Sequence, residues 1–120
     1  MAYQHFDERL HVETDPVDVH ADLQKGVQAF LLIDARAEAA FRQAHLPGAL
    51  NFPYRNISEE TAASLPREKL LVTYCWGPSC NASTKAAARL SQLGFRVKAM
   101  IGGIEYWQRE GRPLVSEESP

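Results

Sequence analysis

The stretch LLVTYCWGPSCNASTKAAARL, residues 70–90, decides the fold. It opens on an apolar run, residues 70–74, that climbs to Cys75 and reads as a buried strand. Six residues after that cysteine an alanine-rich segment begins. Ala82, Ala86, Leu90 and Leu93 fall on one face at helical spacing, so a helix is expected over residues 81–93. Gly94 stands where a glycine ends such a helix. Between strand and helix lies one short loop with a Trp, a Gly, a Pro and both cysteines of the chain, Cys75 and Cys80.

The flanking sequence repeats this alternation. Residues 30–33 form another short apolar run, ending in Asp34, and read as a buried parallel strand. Residues 48–52, opened by Pro47 and closed by Pro53, and residues 96–101 complete the strands expected from pattern. Helices are expected over residues 3–11, with Phe6 and Leu10 inward, and from Pro16 to about Lys25. The second is capped by Thr14 or Asp15 and stopped by Gly26. Helical character returns over residues 37–44, in a short piece capped by Ser58, and over residues 104–110 after the Gly102 and Gly103 turn. Strands alternating with helices imply an α/β fold, a parallel sheet covered on both faces. Such sheets carry their sites at the carboxyl ends of strands, where Cys75 stands.

At 120 residues the chain fits one domain with a real core: about 14–113, an N-terminal helical extension over 1–13 and a tail over 114–120, frayed and acidic from residue 116. A hydrophobic share of 45% argues against disorder, and a net charge of -2 gives no reason to expect nucleic acid or an anionic membrane as partner. The polar first residues do not read as a secretory signal, and no apolar run approaches the roughly 20 residues that span a bilayer. A cytoplasmic location is expected. There, a close pair of cysteines points to catalysis, redox chemistry or metal rather than a permanent disulfide.

Cys75, after a strand and before a helix N-terminus, has the setting of a nucleophile. Inward loop amides and the positive end of the helix dipole favour a thiolate, the reactive form. The same N–H groups would hold an anion attached to the sulfur. Gly77 lets the backbone curl and Pro78 stiffens it. The competing reading is a buried structural cysteine.

The stretch FRQAHLPGALNF, residues 41–52, resembles the signature of rhodanese-like domains. Asp34, Ala35 and Arg36 resemble the family's Asp-x-Arg. Val72 to Cys75 resemble its strand into the active cysteine, and Gly94, Phe95, Gly102 to Ile104 and Trp107 its closing segments. The resemblance implies a five-stranded parallel sheet flanked by helices, with Cys75 accepting a sulfane sulfur as a persulfide and passing it on. The donor would be a small sulfur-containing anion such as thiosulfate, or a persulfide. The acceptor would be a thiol or a protein, and no cofactor is required. The six-residue loop is then Cys75, Trp76, Gly77, Pro78, Ser79 and Cys80, its amides forming the anion cradle. It is similar to a subgroup with Cys-Trp-Gly-Pro-x-Cys-Asn. Phosphatases of related fold need an arginine six residues after the cysteine; Asn81 stands there and offers no guanidinium.

Cys80 is a second thiol candidate: it could attack a Cys75 persulfide, accept its sulfur, protect Cys75 as a disulfide, act as the primary nucleophile, or be inert. Asp34 and Arg36 are read as supports of the fold and candidate supports of the site. Lys85 is either a solvated helix lysine or an attractor of anionic donors. Trp76 lines a substrate or partner surface, or folds back on the domain. His45 is read as structural, and His5, His11 and His20 as surface residues. A metal held by Cys75, Cys80 and a histidine is not expected, because the spacing exceeds that of a zinc hook and no second cysteine pair exists. The rival functions are a non-catalytic binding module and a thiol redox protein.

Overall fold

A computed structural model of the chain describes residues 1–117. In chain order the elements are α1 (Ala2–Val12), β1 (Glu13–Thr14), α2 (Pro16–Gln24), β2 (Phe30–Asp34), α3 (Glu38–Gln43), β3 (Leu50–Asn51), 3-10 turns at Tyr54–Asn56 and Thr61–Ser64, β4 (Leu70–Tyr74), α4 (Ala82–Gln92), β5 (Val97–Met100) and α5 (Gly103–Arg109). The two apolar runs become the central strands, paired parallel with Phe30 opposite Leu70 and Asp34 opposite Tyr74. All five strands are parallel, in the order β1-β5-β4-β2-β3.

Side chains alternate across each strand, so each central strand feeds two cores. Ile33 and Leu71 join Ala86, Leu90 and Phe95 beneath α4 and the 3-10 turns. Leu32, Val72 and Tyr74 join Val19 of α2 and Ile104 and Trp107 of α5 on the other face. Trp107 is fully buried and its indole N–H donates to the Pro113 carbonyl at 2.7 Å. At the start of α2 the Asp15 carboxylate accepts the Asp18 N–H at 2.9 Å with Pro16 in the first turn, the expected cap.

Several expectations are corrected. Residues 2–12 are helical, but Phe6 (58% exposed) and Leu10 (71%) face outward, because α1 lies against β1 and β5 at one side of the sheet with no layer over its apolar side. Glu13 is not part of a helical extension: Glu13 and Thr14 pair with Ala99 and Met100 as an edge strand. The strand expected over 48–52 shrinks to Leu50–Asn51, and that over 96–101 to Val97–Met100. The piece after Ser58 is a 3-10 turn, tied by reciprocal bonds in which Thr61 N–H donates to Ser58 Oγ and Ser58 N–H to Thr61 Oγ1. The tail begins later than expected. Leu114 packs on the second core, Val115 bridges His45 and Glu117 N–H donates to the Arg42 carbonyl, while residues 118–120 lie outside the described residues.

Candidate active site

The loop after β4 is shaped by its neighbours. Gly102 and Gly103 bring the start of α5 against it, so Ile104 N–H donates to the Cys75 carbonyl at 2.9 Å and Glu105 N–H to the Trp76 carbonyl at 2.8 Å. Gly103 has φ +64, and a Cβ there would sit 2.6 Å from the Cys75 oxygen, the Gly77 nitrogen and the Trp76 carbonyl carbon. No other residue fits that contact. Cys80 N–H donates to the Gly77 carbonyl at 3.0 Å and closes a four-residue turn with Pro78 and Ser79 at its centre. These bonds narrow the expected cradle. Pro78 has no N–H, and that of Cys80 is occupied within the turn.

The first turn of α4 leaves N–H groups without helical partners, and Asn81, at the cap position, contributes no side-chain bond. The Ala82 and Trp76 N–H groups favour ionisation of the Cys80 sulfur, and the Ser83 N–H that of Cys75. The Cys75 thiol donates to the Cys80 carbonyl at 3.1 Å and lies 3.5 Å from Ser83 Oγ, while Thr73 Oγ1 holds the Ser83 carbonyl at 2.9 Å. Both cysteines are free thiols, and each affects the ionisation of the other.

Acidity divides between them against expectation. Cys75 is only 2% exposed, and burial pushes its thiol up; the Ser83 hydroxyl and N–H work the other way, and the neighbouring Cys80 adds to the rise. Burial would also raise Cys80, but the Ala82 N–H, the Cys75 thiol, the Trp76 N–H and the Lys85 charge outweigh it, and its net shift is downward. The helix terminus therefore favours ionisation of both sulfurs, and only at Cys75 does burial outweigh it.

Asp34 and Arg36 form a buried pair behind the loop. Arg36 Nη2 lies 2.8 Å from Asp34 Oδ2 and Nε lies 3.0 Å from Oδ1, with the Arg36 N–H also on Oδ1 at 2.9 Å. The Tyr74 hydroxyl donates to Asp34 Oδ2 at 2.7 Å and accepts from Leu46 N–H at 3.1 Å. Burial first, and then the Asp34 charge, push the Tyr74 phenol far up, so it stays a donor. The Arg36 guanidinium also donates to the Ala44 carbonyl and carries the Trp76 ring, 4.5 Å from its centroid. Trp76 is half-exposed and stacks back on the domain. It walls a cavity of about 500 Å³ with Ile104, Glu105, Gln108 and Arg109, whereas Cys75 and Cys80 together line a different one of about 580 Å³ between α4 and β5.

Lys85 sits one turn into α4, near enough to lower Cys80, with its Nζ 5.1 Å from the Tyr54 ring beside Arg55 and Arg89. His45 is buried, stacked on Phe41 at 3.8 Å, with Nδ1 2.9 Å from the Phe41 carbonyl, in the structural role expected. His5 and His11 are exposed, but His20 is half-buried with its ring edge on Trp107. Among the described residues no cluster of three His, Cys, Asp or Glu side chains could hold a metal ion. Ser83 was not foreseen. Its signal was its place in the first turn of α4, where an N–H and a hydroxyl both lack helical partners.

Comparison with known proteins places this geometry. A protein of Allochromatium vinosum named as a sulfurtransferase is 37% identical over 73% of this chain and 80% of its own length. An HTH-type transcriptional regulator of Mycobacterium tuberculosis, Rv0324, is 30% identical over 74% of this chain, and the match spans only 38% of that longer protein. The crystal structure of the BH2092 protein of Bacillus halodurans superposes with a TM-score of 0.93 at 45% identity, covering 97% of this chain and 85% of that one. The family model for the rhodanese-like domain matches residues 15–110, and with the five-stranded sheet, its carboxyl-end loop and these relatives, the chain belongs to that family.

Proposed function

We propose that this chain is a sulfurtransferase that carries a sulfane sulfur on Cys75. The observation behind the reading is the free thiol pair in the loop between the carboxyl end of β4 and the first turn of α4, with Cys75 Sγ on the Cys80 carbonyl and 3.5 Å from Ser83 Oγ. In the first step the Cys75 thiolate attacks the outer sulfur of thiosulfate. A sulfur–sulfur bond forms, the bond to the sulfonate breaks, and sulfite leaves with the electron pair. The outer sulfur of the persulfide is anionic and is held by the Trp76, Ala82 and Ser83 N–H groups, with Lys85 drawing the donor in. In the second step cyanide or a thiol attacks that outer sulfur and the Cys75 thiolate leaves.

The transcriptional regulator among the relatives favours a second reading, a module that binds or senses without turnover. Thiocyanate formation from thiosulfate and cyanide separates the two. Turnover that falls at least about 100-fold in Cys75→Ser supports transfer; no turnover in the native chain supports the module. The compartment is proposed to be the cytoplasm. No helix among the described residues is long and apolar enough to cross a membrane.

A further inference from the structure

We propose that Cys80 resolves the Cys75 persulfide: its sulfur attacks the inner sulfur of that persulfide, forms a Cys75–Cys80 disulfide and expels the outer sulfur as hydrogen sulfide. The inference rests on the persulfide reading above and assigns the fate of the sulfur when no external acceptor arrives first. The balance is a persulfide plus a thiol giving a disulfide plus hydrogen sulfide. The sulfane sulfur gains two electrons, the two cysteine sulfurs lose them, and the thiol proton leaves with the sulfide. A dithiol then restores both thiols by exchange.

The geometry favours this attack. Cys75 Sγ lies 3.1 Å from the Cys80 carbonyl, so the two cysteines meet across the loop. The turn from Gly77 to Cys80, closed by the Cys80 N–H bond to the Gly77 carbonyl, folds Cys80 back toward Cys75. Both cysteines line one cavity, so expelled sulfide has a way out and a reductant a way in. The N–H groups of Trp76 and Ala82 favour the Cys80 thiolate, the attacking form.

A capping role alone would be met by a serine, which makes the serine variant informative. The reduced native chain, Cys80→Ser, Cys80→Ala and Cys75→Ser are each treated with thiosulfate, freed of excess donor and held without cyanide. Sulfide is measured alongside intact mass. The native chain should release about one sulfide per chain and finish about 2 Da lighter than its reduced form, with dithiothreitol restoring it. Both Cys80 variants should stay about 32 Da heavier, carry the added sulfur on Cys75 and release no sulfide. A native chain that keeps its extra sulfur as long as the Cys80 variants do overturns the resolving role, as does an added sulfur found on Cys80. If the Cys80 variants gain no mass, the persulfide reading itself fails, and this inference with it.

Discussion

Cys75 and Cys80 lie five positions apart on one loop, yet their surroundings drive their acidities in opposite directions. Cys75 is closed under the loop against Ser83, while Cys80 lies across the open end of α4. Ionisation should therefore begin at Cys80. In pH-dependent alkylation, Cys75→Ser, which leaves Cys80, should react with its midpoint below that of an ordinary thiol. Cys80→Ser, which leaves Cys75, should react with its midpoint above. The reverse order would mean that the closed loop is not the resting state. Behind the loop, Asp34 and Arg36 are almost completely buried, and their partners Tyr74 and the Ala44 carbonyl depend on both. Asp34→Ala strands a guanidinium and should cost about 3–5 kcal/mol in urea unfolding. Trp76→Ala removes only the ring resting on that guanidinium and should cost about 1 kcal/mol.

At the scale of elements, α5 shapes the loop, because Ile104 and Glu105 take the Cys75 and Trp76 carbonyls. Gly103→Ala forces a Cβ into that seam at a positive φ. It should lower stability by roughly 2 kcal/mol or more and lower sulfur transfer by a larger factor than the stability loss explains, as measured on still-folded protein. The elements flanking the loop were legible before any coordinates. The apolar runs at 30–33 and 70–74 and the alanine face of α4 are long-range order written as local pattern. What stayed hidden depends on what lies opposite. Phe6 and Leu10 have helical spacing, but spacing does not say whether a layer exists for them to face. Glu13 and Thr14 form a two-residue strand only because β5 runs beside them. The strand–loop–helix setting of Cys75 was legible from pattern. The raised thiol of Cys75 was not, because it depends on how deeply the closed loop buries that sulfur.

For the molecule as a whole, the net charge of -2 hides a local concentration of cations, where Lys85, Arg55 and Arg89 surround Tyr54 and the Lys85 charge reaches Cys80. That cluster should attract a divalent anion over a distance that salt shortens. Lys85→Glu should lower kcat/KM for thiosulfate about 3- to 10-fold in dilute buffer, with the gap narrowing as ionic strength rises toward molar salt. An unchanged salt profile would place the donor's approach elsewhere, such as the cavity between Trp76 and α5. All of these effects converge on whether Cys75 holds the sulfur in transit. The direct measurement loads Cys80→Ser and Cys75→Ser with thiosulfate, removes the excess and adds cyanide in a single turnover. Cys80→Ser should yield about one thiocyanate per chain and Cys75→Ser essentially none; an equal yield from the two would contradict the assignment of Cys75.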